Sequence, residues 1–262
     1  MATKLKALIT GGSGGIGLAL GEELKERGYN LYINSRSQEN LNDAAETLGI
    51  PIEQTFAADL ADPKQRKKFL TWADKVPEEF DCVINNAGVG AYGSFAEQEF
   101  TQLNTMLQLN MVALTEITQH FVKRLRTVNR GRILNVASIV AYVPAPQMAA
   151  YAATKSYVLA LDQALAAELK NTDIQIATLC PGATDSNFFA EAGVDGKMKD
   201  RVPKMSTGEV AKIAIEELMK GSEHIVPGAS NKAGAALASV MPGNWLASMV
   251  GKFTVTKSAA KH

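Results

Sequence analysis

The sequence predicts an α/β protein: a doubly wound parallel sheet in a single domain. Three observations carry that reading. Short apolar runs alternate with longer amphipathic ones from the first residues onward. The short runs are almost continuously apolar, as expected of strands covered on both faces. No linker, internal repeat or shift of composition divides the 262 residues, a length that suits one large core.

In chain order the strands fall at KALIT, NLYIN, IEQTFAA, DCVIN, RILNVAS, IQIATLC and EHIVPG. Helices fall between them at residues 15–28, 38–48, 63–76, 99–126, 150–170 and 207–220, where helical apolar spacing meets strong helix formers. Strand–helix alternation of this kind places helices on both faces of a parallel sheet.

Composition narrows the function classes. The chain has 27 basic and 27 acidic residues, so the basic excess of a nucleic-acid binder is missing. The N-terminus, MATKLKALITGG, lacks the long apolar run and cleavage site of a secretory signal, and no stretch of 18 apolar residues exists. Cys82 and Cys180 lie in apolar runs and read as buried reduced thiols, while His120, His224 and His262 are scattered. A cytoplasmic protein without a metal site is expected.

The first strand runs into TGGSGGIG, Thr10 to Gly17, and then into a helix. Glycines let the backbone turn sharply and approach a ligand, and the helix N-terminus offers amides to a pyrophosphate. Two registers fit: Gly12, Gly14 and Gly17 as G-x-G-x-x-G, or Gly11, Gly15 and Gly17 as T-G-x-x-x-G-x-G. Either predicts dinucleotide binding on a Rossmann-type fold. The second strand ends in INSRS, with Ser35 and Arg36 and no acid before Glu39. A carboxylate there would hold the ribose hydroxyls of NAD, whereas a guanidinium fork suits a 2′-phosphate. NADP(H) is therefore expected ahead of NAD(H).

YAATK places Tyr151 and Lys155 one helical turn apart. A free phenol has a pKa of about 10 and exchanges protons poorly at neutral pH. A neighbouring ammonium stabilises the phenolate and is expected to lower that value.

Together with three further motifs, these features resemble the short-chain dehydrogenase/reductase family, over nearly the whole chain to about residue 228. The resemblance selects the T-G-x-x-x-G-x-G register and implies that Gly11, Ser13, Gly14, Gly15, Ile16 and Gly17 hold the cofactor, beside Ser35 and Arg36. AADL implies contacts from Asp59 and Leu60, with Asp59 at the adenine. NNAG implies that Asn86, Ala87 and Gly88 line the cofactor. PGATDS implies the same for Pro181, Gly182 and Thr184, with Thr184 at the nicotinamide carboxamide. The implied catalytic set is Asn110, Ser138, Tyr151 and Lys155. In it Ser138 donates to the oxygen where charge develops, and Lys155 also holds the nicotinamide ribose. Asn110 kinks its helix and holds a proton-relay water. The implied activity is NADP(H)-dependent hydride transfer between nicotinamide and a small carbonyl or alcohol substrate. The alternatives are a non-catalytic NADP-binding sensor or scaffold, which usually loses the tyrosine or lysine, and a sugar-nucleotide epimerase, whose T-G-x-x-G-x-x-G is missing.

Residues 185–206 break the strand–helix alternation, and the resemblance makes them a substrate lid. Phe188 and Phe189 supply apolar walls there or else belong to the core, with residues 140–148 opposite and Ser138 and Tyr151 at the reacting oxygen. The apolar composition favours a hydrophobic or aromatic carbonyl over a sugar. Residues 229–262 extend the same domain as two helical pieces split at Pro242-Gly243, with Leu246, Met249, Val250 and Phe253 on one stripe. Packing beside the substrate mouth is expected ahead of a subunit contact or interfacial membrane attachment, with a disordered tail from about Thr256. Residues 157–161, YVLAL, are apolar on every side, which implies burial on two sides. Family members commonly pair through this helix and the 99–126 helix, so a homodimer or homotetramer is expected.

Overall fold

A computed structural model describes residues 4–193 and 204–254. Seven strands form one parallel sheet: β1 (Lys6–Thr10), β2 (Asn30–Ser35), β3 (Thr55–Ala57), β4 (Cys82–Asn85), β5 (Gly131–Val136), β6 (Ile174–Leu179) and β7 (His224–Ile225). Their order is β3-β2-β1-β4-β5-β6-β7. The chain winds outward from β1 to β3 and then returns to lay β4 on the other side of β1. That reversal opens a crevice at the C-terminal ends of β1 and β4, where sheets of this type hold their ligands.

The described helices are α1 (Gly15–Glu26), α2 (Gln38–Leu48), α3 (Pro63–Asp74), α4 (Phe100–Leu107), α5 (Leu114–Val128), α6 (Ala149–Leu169), α7 (Phe188–Glu191), α8 (Thr207–Met219), α9 (Ala229–Ala238) and α10 (Gly243–Thr254). Strand side chains alternate between the two faces with period two. Ile9, Ile84 and Leu134 pack under α1, α2 and α8, whose Leu20, Leu24, Leu41 and Ile215 are fully buried. Leu8, Val83 and Ile133 face the other way, onto Phe69 of α3 and Phe121 and Leu125 of α5. Each such side chain contributes about 1.5–3 kcal/mol by leaving water.

One row of the sheet is polar. In strand register, Asn34 lies beside Thr10, Thr10 beside Asn85, Asn85 beside Asn135, and Asn135 beside Thr178. All five are buried and lie at or near the C-terminal ends of their strands. Asn85 Nδ2 donates to Asn135 Oδ1 at 2.8 Å and Asn135 Nδ2 to Asp162 Oδ1 at 2.6 Å. Thr178 Oγ1 donates to the other oxygen, Asp162 Oδ2, at 2.8 Å. Asp162 thus ties α6 to β5 and β6, and burial pushes its carboxyl up to about 7.

Three expectations are revised. IEQTFAA forms strand only over Thr55–Ala57; Ile52–Gln54 makes a 3-10 turn after Pro51, with Ile52 exposed. EHIVPG pairs only through His224–Ile225, because Pro227 lacks the amide a longer ladder needs. The helix expected over 99–126 is three pieces, with a π-helical segment, Gln108–Ala113, between α4 and α5. Asn110, the residue implied to kink this helix, lies in that segment. Residues 194–203 of the expected lid, and the tail from about Thr256, lie outside the described residues.

Both cysteines are buried and free, and burial raises the Cys82 thiol to about 12 and the Cys180 thiol to about 11. Among the described residues no cluster of metal-binding side chains occurs, and no helix is long and apolar enough to cross a membrane.

Candidate active site

The glycine turn leaves β1 at the crevice. Gly11 and Gly15 adopt φ of 64° and 54°, a left-handed region that favours glycine. A Cβ on Gly17 would lie 2.1 Å from the Gly11 carbonyl oxygen, so helix and turn touch there. Gly14 is extended, a conformation open to any residue, and Gly12 is kept small by Ile33 of β2. Conformational need therefore follows the Gly11–Gly15–Gly17 register. Thr10 pins the next loop to this turn: its Oγ1 accepts from the amides of Asn86 and Ala87, both at 3.1 Å. The Asn86 side chain donates back to the carbonyls of Thr10 and Gly11.

These residues fit a dinucleotide. Ser37, Asp62 and Ser206 cap α2, α3 and α8 with side-chain hydrogen bonds, but no side chain caps α1. Its first amides are thus left to an anion. The space where a Gly14 Cβ would point is open. Ser13 Oγ bonds Ser35 Oγ at 2.7 Å, and the neighbouring Arg36 is exposed, with no hydrogen bond or ion pair among the described residues. Half-buried Ile16 lies in the first turn of α1. Asp59 is half-buried and accepts from the Ala61 amide at 2.9 Å; the neighbouring Leu60 is buried and gives its carbonyl to Arg66.

Across the switch point, α6 supplies Tyr151 and Lys155, both buried. Lys155 Nζ donates to the Val136 carbonyl at 2.8 Å and stands 5.8 Å from the centre of the Tyr151 ring. Burial lowers the Lys155 ammonium to about 8. Burial also holds the Tyr151 phenol above its usual value, and the opposing pull comes from a hydrogen bond with Ser138. This corrects the expectation that the lysine lowers the phenol's pKa: spacing brings the two together, but the low-dielectric pocket dominates. A Cβ on Gly88 would stand 3.3 Å from Asn110 Oδ1 and 3.4 Å from Lys155 Nζ, so Gly88 leaves these groups room.

Asn110 sits in the π segment with its amide fully engaged. Oδ1 accepts from the Val89 amide at 3.0 Å, and Nδ2 donates to the Val89 carbonyl at 2.8 Å and to Thr154 Oγ1 at 3.2 Å. The side chain therefore clamps the loop after β4 instead of waiting for a water. Thr184 is also turned inward, buried and donating to the Gly182 carbonyl at 3.1 Å. Pro181 accepts from the Ile139 amide at 2.9 Å, which joins the loop after β6 to the Ser138 turn.

The remaining wall is apolar. Phe188 lies with its ring centre 5.4 Å from that of Tyr151, and its edge would meet a Cβ on Gly90 at 2.7 Å. Ala91, Ala145, Met148 and Val250 complete the cluster around the phenol. Phe189 lies in α7; its side chain is outside the described residues. Sequence reasoning missed Thr10, Gly90 and Asn231 as builders of this site. A Gly182 Cβ would strike Asn231 Nδ2 at 2.4 Å, so the C-terminal extension abuts the loop after β6.

The family model described as short chain dehydrogenase matches residues 5–195. The chain belongs to the short-chain dehydrogenase family. As a member, this dehydrogenase is an oxidoreductase that works with a pyridine nucleotide. It is 28% identical over 226 residues to nodulation protein G of Rhizobium meliloti, covering 85% of this chain and 91% of the relative. A short-chain dehydrogenase from Sphingobium yanoikuyae, solved in complex with NADPH, superposes with a TM-score of 0.78 at 27% identity, over 91% of this chain and 96% of the other. The bulky-bulky ketone specific alcohol dehydrogenase from Comamonas testosteroni gives 0.75 at 27% identity, over 92% and 96%.

Proposed function

We propose that the dehydrogenase is an NADP(H)-dependent reductase of hydrophobic carbonyl compounds, with Tyr151 as the proton donor. The observation that carries this reading is the buried pair Tyr151 and Lys155 beside half-buried Ser138, with an apolar cluster packed on the phenol and, across the switch point, a helix without a side-chain cap and an exposed Arg36. The NADPH-bound Sphingobium structure and the ketone specificity of the Comamonas enzyme support it.

When bound, reduced nicotinamide supplies the hydride. The glycine turn from Gly11 to Gly17 and the amides of α1 would hold the pyrophosphate, and Ser35 and Arg36 the 2′-phosphate. Asn86 to Gly88 and Pro181 to Thr184 would flank the nicotinamide half. Because burial keeps the Tyr151 phenol protonated at neutral pH, it starts as an acid and gives its proton to the carbonyl oxygen as charge develops there. Ser138 donates a second hydrogen bond to that oxygen. Lys155 would exchange the Val136 carbonyl for the ribose hydroxyls of the bound cofactor and so stand between it and the phenol. Phe188, Met148 and Ala145 exclude water and accept an apolar substituent.

The test is consumption of NADPH and of NADH with a panel of aromatic ketones, diketones and aldehydes. Turnover with NADPH and at least one bulky carbonyl is expected. Tight NADPH binding without turnover on any carbonyl would transfer the assignment to the sensor reading.

A further inference from the structure

Four large apolar side chains are exposed within thirteen residues of the C-terminal helices: Leu237 at 57%, Val240 at 80%, Trp245 at 67% and Met249 at 46%. The inner faces of the same helices are accounted for. Ala235, Ala238 and Leu246 are buried, and Val250 packs on the cluster around Tyr151. Trp245 and Met249 stand one turn apart on the outer face of α10, so they form a stripe. Lys232 and Lys252 are exposed on these helices. From Ala229 to His262 the chain carries four lysines and none of its 27 acidic residues. Every acid therefore lies in the body, beside an extension that is purely basic.

We infer that the outer face of α9 and α10 seats on a lipid bilayer surface bearing anionic headgroups. An apolar stripe on a segment whose own charged side chains are all cations matches a partner that is apolar below and negatively charged above. Tryptophan prefers that boundary, where its ring meets acyl chains and its N–H stays with the headgroups. Helices of 10 and 12 residues are too short to span the bilayer, so the contact lies in the interface plane. A second copy of the chain fits less well. A two-fold contact through this face would oppose one basic rim to another, with no acid in the segment to neutralise it. The inner side of α10 rests on the substrate wall: a Cβ on Gly251 would meet Pro146 Cγ at 3.4 Å, and one on Gly243 would meet Pro144 Cγ at 3.8 Å. Docking would thus place the apolar mouth of the pocket beside the lipid, where hydrophobic carbonyls concentrate.

The experiment is co-sedimentation of the full chain with phosphatidylcholine vesicles, with and without phosphatidylglycerol, at low and high salt. Binding is expected only with phosphatidylglycerol and should weaken with salt. Trp245 emission should shift to the blue on vesicle addition, a change absent in W245F. The double variant W245E/M249E should lose binding, and K232E/K252E should raise the half-saturating lipid concentration by about tenfold or more. All four residues are exposed and outside the reactive pocket, so circular dichroism and NADPH turnover should match the parent. Failure to sediment with phosphatidylglycerol at low salt would overturn the inference. So would binding that both double variants leave unchanged. A soluble dimer that W245E/M249E dissociates, without vesicle binding, would assign the face to a second copy instead.

Discussion

The two halves of the crevice differ in how far their charged and partly charged groups are engaged. On the side built from β1, β2 and α1, Thr10 and the Ser13–Ser35 pair are bonded, but the N-terminus of α1 has no side-chain cap and Arg36 no partner among the described residues. On the side built from β4, β5 and α6, groups are engaged before any substrate arrives. Asn110 makes three hydrogen bonds, Lys155 donates to Val136, and Asp162 accepts from two strands. The first pattern suits capture, because an open amide or guanidinium gains most from a phosphate. The second suits chemistry, because groups already fixed in a low-dielectric pocket need no reorganisation during reaction. Mutations on the two sides should therefore fail differently.

Tyr151→Phe should lower turnover by about 10²–10⁴ while NADPH affinity stays within a few-fold, measured by steady-state rates and titration. Equal losses in both would erase the contrast. Asp162→Asn probes the engaged side through stability. The folded carboxyl titrates near 7, above its ordinary 3.8, so the stability it contributes is full below about pH 4 and is lost as pH rises through 7. The parent should therefore lose about 4 kcal/mol across that window, and the asparagine variant should lack that slope in denaturant melts at several pH values. Parallel slopes would show that the carboxyl stays ionised throughout.

Arg36→Ala tests the open side. A charge-assisted contact of about 1.5–3 kcal/mol predicts roughly 10- to 150-fold weaker NADPH binding, with NADH nearly unchanged. Equal weakening of both cofactors would make Arg36 a support for the loop. The smallest effect on the subunit is expected from Ala164→Glu and Ala167→Glu, exposed on α6. These should change subunit stability by no more than about 0.5 kcal/mol, yet dissociate a dimer built on α4–α6. Sedimentation equilibrium reads the outcome, and a single species near 28.0 kDa for the parent would remove the dimer altogether.

Much of this architecture is legible in the sequence because it rests on local pattern. KALIT and residues 38–48 become β1 and α2 with those bounds, and the four-residue step of YAATK does bring Tyr151 beside Lys155. What is not legible depends on partners distant in the chain. Thr10 meets Asn86 and Ala87 more than 70 residues away, and Asn231 meets Gly182 from the last helices. The sign of the Tyr151 shift is hidden for the same reason. Spacing names the neighbouring lysine, but the shift is set by burial, which comes from segments as far apart as Ala91 and Val250. Ile52 misleads in the reverse direction, since an apolar residue after Pro51 looks like strand until the turn exposes it.

The polar row across the sheet bears on how the chain finds its alignment. Aliphatic strands are nearly interchangeable: a slip of two residues keeps every side chain on its own face. Asn34, Thr10, Asn85, Asn135 and Thr178 break that degeneracy, because any strand that slides carries a buried polar group away from its partners. An orphaned amide or hydroxyl inside the core costs about 1–3 kcal/mol, enough to make a mis-threaded sheet reopen rather than persist. The row acts as a key cut across five strands, and the last tooth is Asp162, which checks that α6 has arrived before the alignment locks.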